Sequence, residues 1–131
     1  MEVLFYSEQH RNFYNRHVDG GADPYYRALV YLLGMAAETR SNFSRCFDAE
    51  ARMIRPTALE EGWQTGGTVR IVRMAFNLWN GYTEPEQSNA FSPEDLFCCE
   101  FAPYFMEGIK IRYPEYCREL PPVKKQVEPA R

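Results

Sequence analysis

The sequence predicts an all-α fold: a single compact bundle of about five or six helices wrapped around a central helix over residues 66–80. Three observations carry this expectation. Asp23 and Pro24 open YYRALVYLLGMAAETR as N-cap and first helical residue, and the stretch sets Tyr26, Leu29, Val30, Leu33 and Ala37 on one face at helical spacing. GGTVRIVRMAFNLWN, residues 66–80, is apolar around most of its circumference and is bracketed by Thr65 as a cap and Gly81 as a stop. Strand patterning is weak, and only MEVLFY and ARMIR pattern as a minor ribbon involving the N-terminus.

Taken in order, MEVLFY is a short apolar run read as an extended arm, and Ser7 is an N-cap for a helix over residues 8–17. DGGAD, residues 19–23, ends that helix. After the Pro24 helix, SNFSRCFDAEA carries a shorter one beyond a bend at Thr39 to Asn42. In MIRPTALEEG, Pro56 marks a start and Gly62 a stop. YTEPEQSNAF is polar, contains a proline and reads as an exposed loop. Ser92, Pro93 and Asp95 form a start resembling a capping box, although Glu or Gln is the usual third partner. The helix with DLFCCEF is interrupted near Ala102 and Pro103, and PYFMEGIKIRY continues to Pro114. EYCREL adds a final turn or two. The helical domain is assigned to residues 1–118, and residues 119–131, with adjacent prolines and no apolar periodicity, are read as a polar tail.

A chain of 131 residues that is 45% hydrophobic and 15% aromatic can bury a core without a metal or disulfide staple, alone or as a small homo-oligomer. Its net charge of -3, with no long basic run, argues against duplex nucleic acid as a partner. Twelve of its fifteen basic residues are arginine, the side chain whose planar fork suits carboxylate and phosphate. Surface ion pairing is the plainer explanation of that bias. There is no signal-like or membrane-spanning apolar run, and the four cysteines lack regular spacing, so a cytoplasmic protein with reduced thiols is expected.

The central helix poses the functional question. At 100° per residue Arg70, Arg73, Asn77 and Asn80 fall within one arc of about 80°. In one reading the arginines pair with Glu38, Glu100 or Glu107 and the asparagines bond loop carbonyls. In the other the stripe lines a pocket, and the Thr65-Gly66-Gly67 start offers free N–H groups and the positive end of a dipole to an anion. Trp63 and Trp79 flank the stripe in sequence, as core or as a stacking wall. The candidate ligand-binding set is Trp63, Gln64, Thr65, Gly66, Arg70, Arg73, Asn77 and Asn80, with Tyr104 nearby and Lys110 and Arg112 completing a basic mouth.

Other chemistry is less well supported. His10 and His17 share a helix face, yet zinc sites usually show two short-spaced ligand pairs, and adjacent Cys98 and Cys99 diverge by about 100° on a helix. No metal and no cofactor are expected. A Cys nucleophile with His, or a carboxylate pair from Asp95, Glu100 and Glu107, lacks a second element of an active site. Phe97, Phe101, Tyr104, Phe105, Tyr113 and Tyr116 read as a packing face with tyrosines at its edge.

The blocks WQTG, AFNLWNG, FCCEFAPYF and IKIRYPEYC, following FYSEQHRNFY, resemble a family of small proteins of unknown function from Firmicutes and associated mobile elements, over residues 4–117. The resemblance names no catalytic residue. A phage or mobile-element setting implies evasion of host defence, by sequestering a small signal or by occupying a host protein. The expectation is therefore a non-enzymatic binding protein for an anionic, nucleotide-type ligand. The alternative is an inhibitor that blocks a partner through an aromatic and arginine surface patch, and a small enzyme is the third reading.

Overall fold

The computed structural model describes residues 2–117 and Val123, so the tail assigned to 119–131 lies, apart from Val123, outside the described residues. Among the described residues seven α-helices follow one another: α1 Glu8–His17, α2 Pro24–Leu33, α3 Ala37–Ser41, α4 Phe43–Cys46, α5 Gly66–Asn80, α6 Pro93–Leu96 and α7 Ala102–Arg112. Two short 3-10 helices, Pro56–Glu60 and Ser88–Phe91, and one two-residue ribbon complete the order. The all-α bundle around a central helix is therefore correct. α5 touches α2, α3, α6, α7 and both 3-10 helices.

Local chemistry sets the helix ends. Ser7 caps α1 by accepting from the His10 N–H, and Asp23 caps α2 by accepting from that of Tyr26. At α5, Thr65 accepts from the Thr68 N–H while Thr68 Oγ1 accepts from the Thr65 N–H, a reciprocal box at 3.1 and 2.7 Å. Gly81 closes α5 at a φ of 78°, a left-handed conformation that glycine adopts without a Cβ penalty.

Three details differ from the sequence reading. The Pro24 helix stops at Leu33 instead of running on through Ala37: a Cβ on Gly34 would lie 2.8 Å from Phe13 Cδ1, so the chain bends where α1 presses on it. Thr39 Oγ1 then bonds the Ala36 N–H and opens α3 separately. The N-terminal segment forms no strand; Met53–Ile54 of ARMIR pairs antiparallel with Phe47–Asp48. Asp48 explains that choice, since its carboxylate accepts the N–H groups of Glu50 and Ala51 and closes the turn locally. Those bonds, Ala51 foremost, hold the Asp48 pKa below its ordinary value. Finally, YTEPEQSNAF is mostly exposed, as read, but Phe91 at its end is buried and Tyr82 at its start sits edge-on to Phe76 of α5.

The core lies where α2 crosses α5 and α7. Every residue from Ala28 to Leu33 is buried, so α2 is enclosed on all sides over that stretch, more deeply than its one apolar face suggested. Gly108 makes this possible: a Cβ there would meet three atoms of Leu32 at 3.1–3.3 Å. Gly108→Val is expected to lower the unfolding free energy by about 1–3 kcal/mol through overpacking. An unchanged urea midpoint would show that α7 does not rest on Leu32.

Candidate functional site

Three of the four residues of the polar stripe of α5, Arg73, Asn77 and Asn80, are hydrogen-bonded by the chain's own loop. Arg73 Nε donates to Glu84 Oε1 at 2.9 Å, and the pair is only 19% and 18% exposed. Its guanidinium also reaches Gln87 Oε1 at 3.4 Å and lies over the Phe91 ring. Asn77 donates to the Tyr82 carbonyl, and Asn80 accepts from the Tyr82 N–H. Arg70 Nε donates to the Asp95 carbonyl at 2.9 Å and Nη1 to that of Gly66. The stripe is thus paired internally, though not with Glu38, Glu100 or Glu107. Those partners are displaced because the loop after Gly81 brings Glu84 and Gln87 to Arg73, while α6 and the start of α5 bring backbone carbonyls to Arg70.

The other sequence-predicted residues scatter. Trp63 donates to Glu61, and Gln64 bonds the Ala58 carbonyl and the Thr68 hydroxyl, so both serve the approach to α5. Thr65 and Gly67 border a groove of about 420 Å³ that Arg40, Glu38 and Glu100 share. A second groove, about 410 Å³, is lined by Glu60, Glu84 and Glu86. Tyr104 packs edge-on to Tyr6 at 5.3 Å, and Lys110 borders a smaller cleft with Val3 and Cys117. Arg112 bonds at the opposite end of α5 from Arg70, so no single basic mouth forms: its Nε donates to the Leu78 carbonyl at 2.8 Å.

His10 and the N-terminal arm form a buried network. Tyr6 N–H donates to His10 Nδ1 at 2.9 Å, which places the ring proton on Nε2, donated to the Tyr31 carbonyl at 2.6 Å. Glu107, also buried, accepts from the Leu4 N–H, and the Tyr31 hydroxyl donates to the Leu4 carbonyl. Burial first, and the Glu107 charge second, push the Tyr31 pKa up. Each polar group is satisfied by the fold, and the network pins the arm to α2 and α7. His17 stacks on Phe13 at 4.1 Å and bonds its carbonyl.

All four cysteines are free. Burial raises the Cys46 thiol to about 12, whereas Cys98 is exposed. Iodoacetamide is expected to label Cys98 first and Cys46 only on unfolding. Mass spectrometry of the folded protein showing Cys46 modified alongside Cys98 would contradict the packing around Phe47.

One surface gathers arginines and rings outside the core. The Arg112 guanidinium carbon lies 3.6 Å from the Tyr25 ring centre and 4.4 Å from that of Tyr113. Tyr25 meets Trp79 edge-on at 6.3 Å, and Arg52 lies over Trp79 at 5.2 Å. Four elements contribute: the ribbon turn, the end of α5, the start of α2 and the end of α7. Arg52 holds its place at a φ of 55°, uncommon for a side-chain-bearing residue, and pairs with Asp23 at 2.8 Å. Tyr25 (44%), Tyr113 (40%) and Tyr116 (85%) are exposed beside it. Pro24, Arg112, Tyr113, Pro114, Glu115 and Tyr116 enclose a groove of about 200 Å³. Sequence reasoning named Arg112 but missed Tyr25 and Arg52, for which no linear signal exists, because the turn and the two helix ends meet only in three dimensions.

Comparison with known protein families adds one match: a family of unknown function, DUF6075, covers residues 1–125. The chain belongs to DUF6075. No curated protein matches this DUF6075 chain, and no solved structure matches it. Two of the sequence blocks that carry the resemblance meet at the surface just described, since the Arg112 of IKIRYPEYC bonds the Leu78 carbonyl of AFNLWNG. Among the described residues of the DUF6075 chain no helix is long and apolar enough to cross a membrane, and no group of three or more His, Cys, Asp or Glu is arranged to hold a metal.

Proposed function

We propose that this protein is a non-enzymatic interaction module that occupies a partner protein through the arginine and tyrosine surface around Arg112. The observation that carries the reading is a contrast between arginines. Arg70, Arg73 and Arg112 all bond groups of the chain itself, but Arg112 alone of the three also lies over two exposed tyrosine rings, Tyr25 and Tyr113, at the edge of a groove. Tyr and Arg dominate binding energy at protein interfaces, and a side chain held in place beforehand loses little entropy on contact. In a mobile-element setting the partner is a host protein whose surface is blocked.

Less supports the nucleotide reading. The groove beside Arg73 is lined by three glutamates, which repel phosphate, and the arginines meant for the ligand already have partners. An enzyme built on Cys and His has less still: His10 and His17 bond backbone groups, and neither is hydrogen-bonded to a cysteine.

Capture from a lysate of the source organism tests the proposal. Immobilised wild-type chain is expected to retain a protein that the Tyr113→Ser, Tyr116→Ser double variant loses at least about tenfold. Both side chains are exposed, so the two chains should melt alike. A partner retained equally by the double variant, yet lost on Arg70→Ala or on adding free nucleotide, would overturn the reading.

A further inference from the structure

Away from the Arg112 surface, a groove of about 660 Å³ opens between α1 and α3, walled by Gln9, Asn12, Asn15, Arg16 and Arg40. Four of the five belong to α1, where positions 9, 12, 15 and 16 share an arc of about 120°, roughly opposite the buried His10, Phe13 and Tyr14. No acid lines this groove. The one acid of α1, Glu8, is paired with Arg11 at 2.7 Å, and Glu38 borders the neighbouring groove beside Thr65.

The two arginines are positioned without being neutralised. Arg40 Nη1 donates to the Gly34 carbonyl at 2.8 Å, and the Arg16 guanidinium carbon lies 5.9 Å from the centre of the Phe13 ring. Among the described residues neither makes an ion pair, whereas Arg11, Arg45, Arg52, Arg55 and Arg73 each hold a carboxylate. The side-chain amides of Gln9, Asn12 and Asn15 make no hydrogen bond among the described residues either. Two like charges brought to one groove repel, and an anion seated between them turns that repulsion into attraction.

Independently of the reading of the Arg112 surface, we infer that the groove between α1 and α3 binds the phosphate monoester of a small, hydroxyl-bearing molecule. Charge matching selects the monoester: it carries about −1.5 to −2 at neutral pH and answers both arginines, whereas a carboxylate or a phosphodiester brings a single charge. The three amides add neutral N–H donors for phosphate oxygens, and their carbonyls accept from hydroxyls of the attached group. None of the five lining residues is aromatic, so a base finds no stacking platform and the group that carries the phosphate is of sugar type. The volume falls in the range of about 300–1,000 Å³ usual for small-molecule sites.

Titration of the isotope-labelled full chain at constant ionic strength with ribose 5-phosphate, dimethyl phosphate and a phosphoserine peptide tests this. Ribose 5-phosphate is expected to shift the side-chain amide signals of Gln9, Asn12 and Asn15 saturably. Dimethyl phosphate, with its single charge, is expected to bind at least about tenfold more weakly, and the phosphopeptide no more tightly than the sugar phosphate. Absent or unsaturable shifts would overturn the site, and equal binding of dimethyl phosphate would overturn the charge matching. Tighter phosphopeptide binding would overturn the assignment to a small molecule. Arg16 is exposed, so Arg16→Gln should melt as wild type does while binding ribose 5-phosphate at least about fivefold more weakly, and undiminished binding would overturn the part given to Arg16.

Discussion

Arg73→Ala is expected to lower the free energy of unfolding by about 2–3 kcal/mol at neutral pH, read as a lower urea midpoint at unchanged slope. The Glu84 carboxylate, 18% exposed, would lose the guanidinium that Arg73 holds 2.9 Å from it. Breaking a fully buried pair costs about 3–5 kcal/mol; the roughly one-fifth exposure of both side chains lets solvent screen part of that. Glu84→Gln added to Arg73→Ala should cost less than the sum of the two, because the stranded charge is gone. A loss below about 0.5 kcal/mol for Arg73→Ala would mean that the loop does not hold the stripe, and would return these arginines to a pocket.

Acid should weaken the fold through His10. Burial, with Arg40 adding to it and the Tyr31 carbonyl opposing, lowers its pKa from 6.5 to about 4. The unfolded chain therefore takes up the proton first as pH falls. This contribution is fully present above pH 6.5, drains away between 6.5 and 4, and stays lost below. The shift corresponds to about 3 kcal/mol. Protonation also turns Nδ1 into a donor facing the Tyr6 N–H, so the arm should loosen along with the core. His10→Gln, compared with wild type in urea at pH 7 and pH 4.5, is expected to flatten this dependence, and equal slopes for the two chains would refute the role given to His10.

The helix ends were legible in the sequence because they are decided locally. Ser7, Asp23, Thr65 and Gly81 act within three or four residues: α1, α2 and α5 begin, and α5 ends, where those residues place them. Where a distant contact decides, the sequence was silent. Gly34 reads as an ordinary helix residue until Phe13 and His10 are brought against it. The loop after Gly81 reads as solvent-facing because it is polar, yet its polar groups are the complement of Arg73, Asn77 and Asn80. Of the candidate site, Arg112 was nameable from its place near the end of a helix. Its clamp was not, since Tyr25 is 87 positions away and Arg52 depends on a ribbon between neighbours that the sequence had paired otherwise. The tyrosines at 113 and 116 read as the edge of a packing face because they continue an aromatic series; the turn after α7 leaves both exposed.

Hydrogen–deuterium exchange of the full chain, alone and saturated with its captured partner, tests the central claim most directly. Contact through the Arg112 surface predicts slower exchange at residues 24–27 and 111–117, with residues 64–73 unchanged because their side chains are engaged within the fold. Protection confined to 64–73, with 111–117 exchanging as in the free chain, would contradict the account and place recognition on the start of α5.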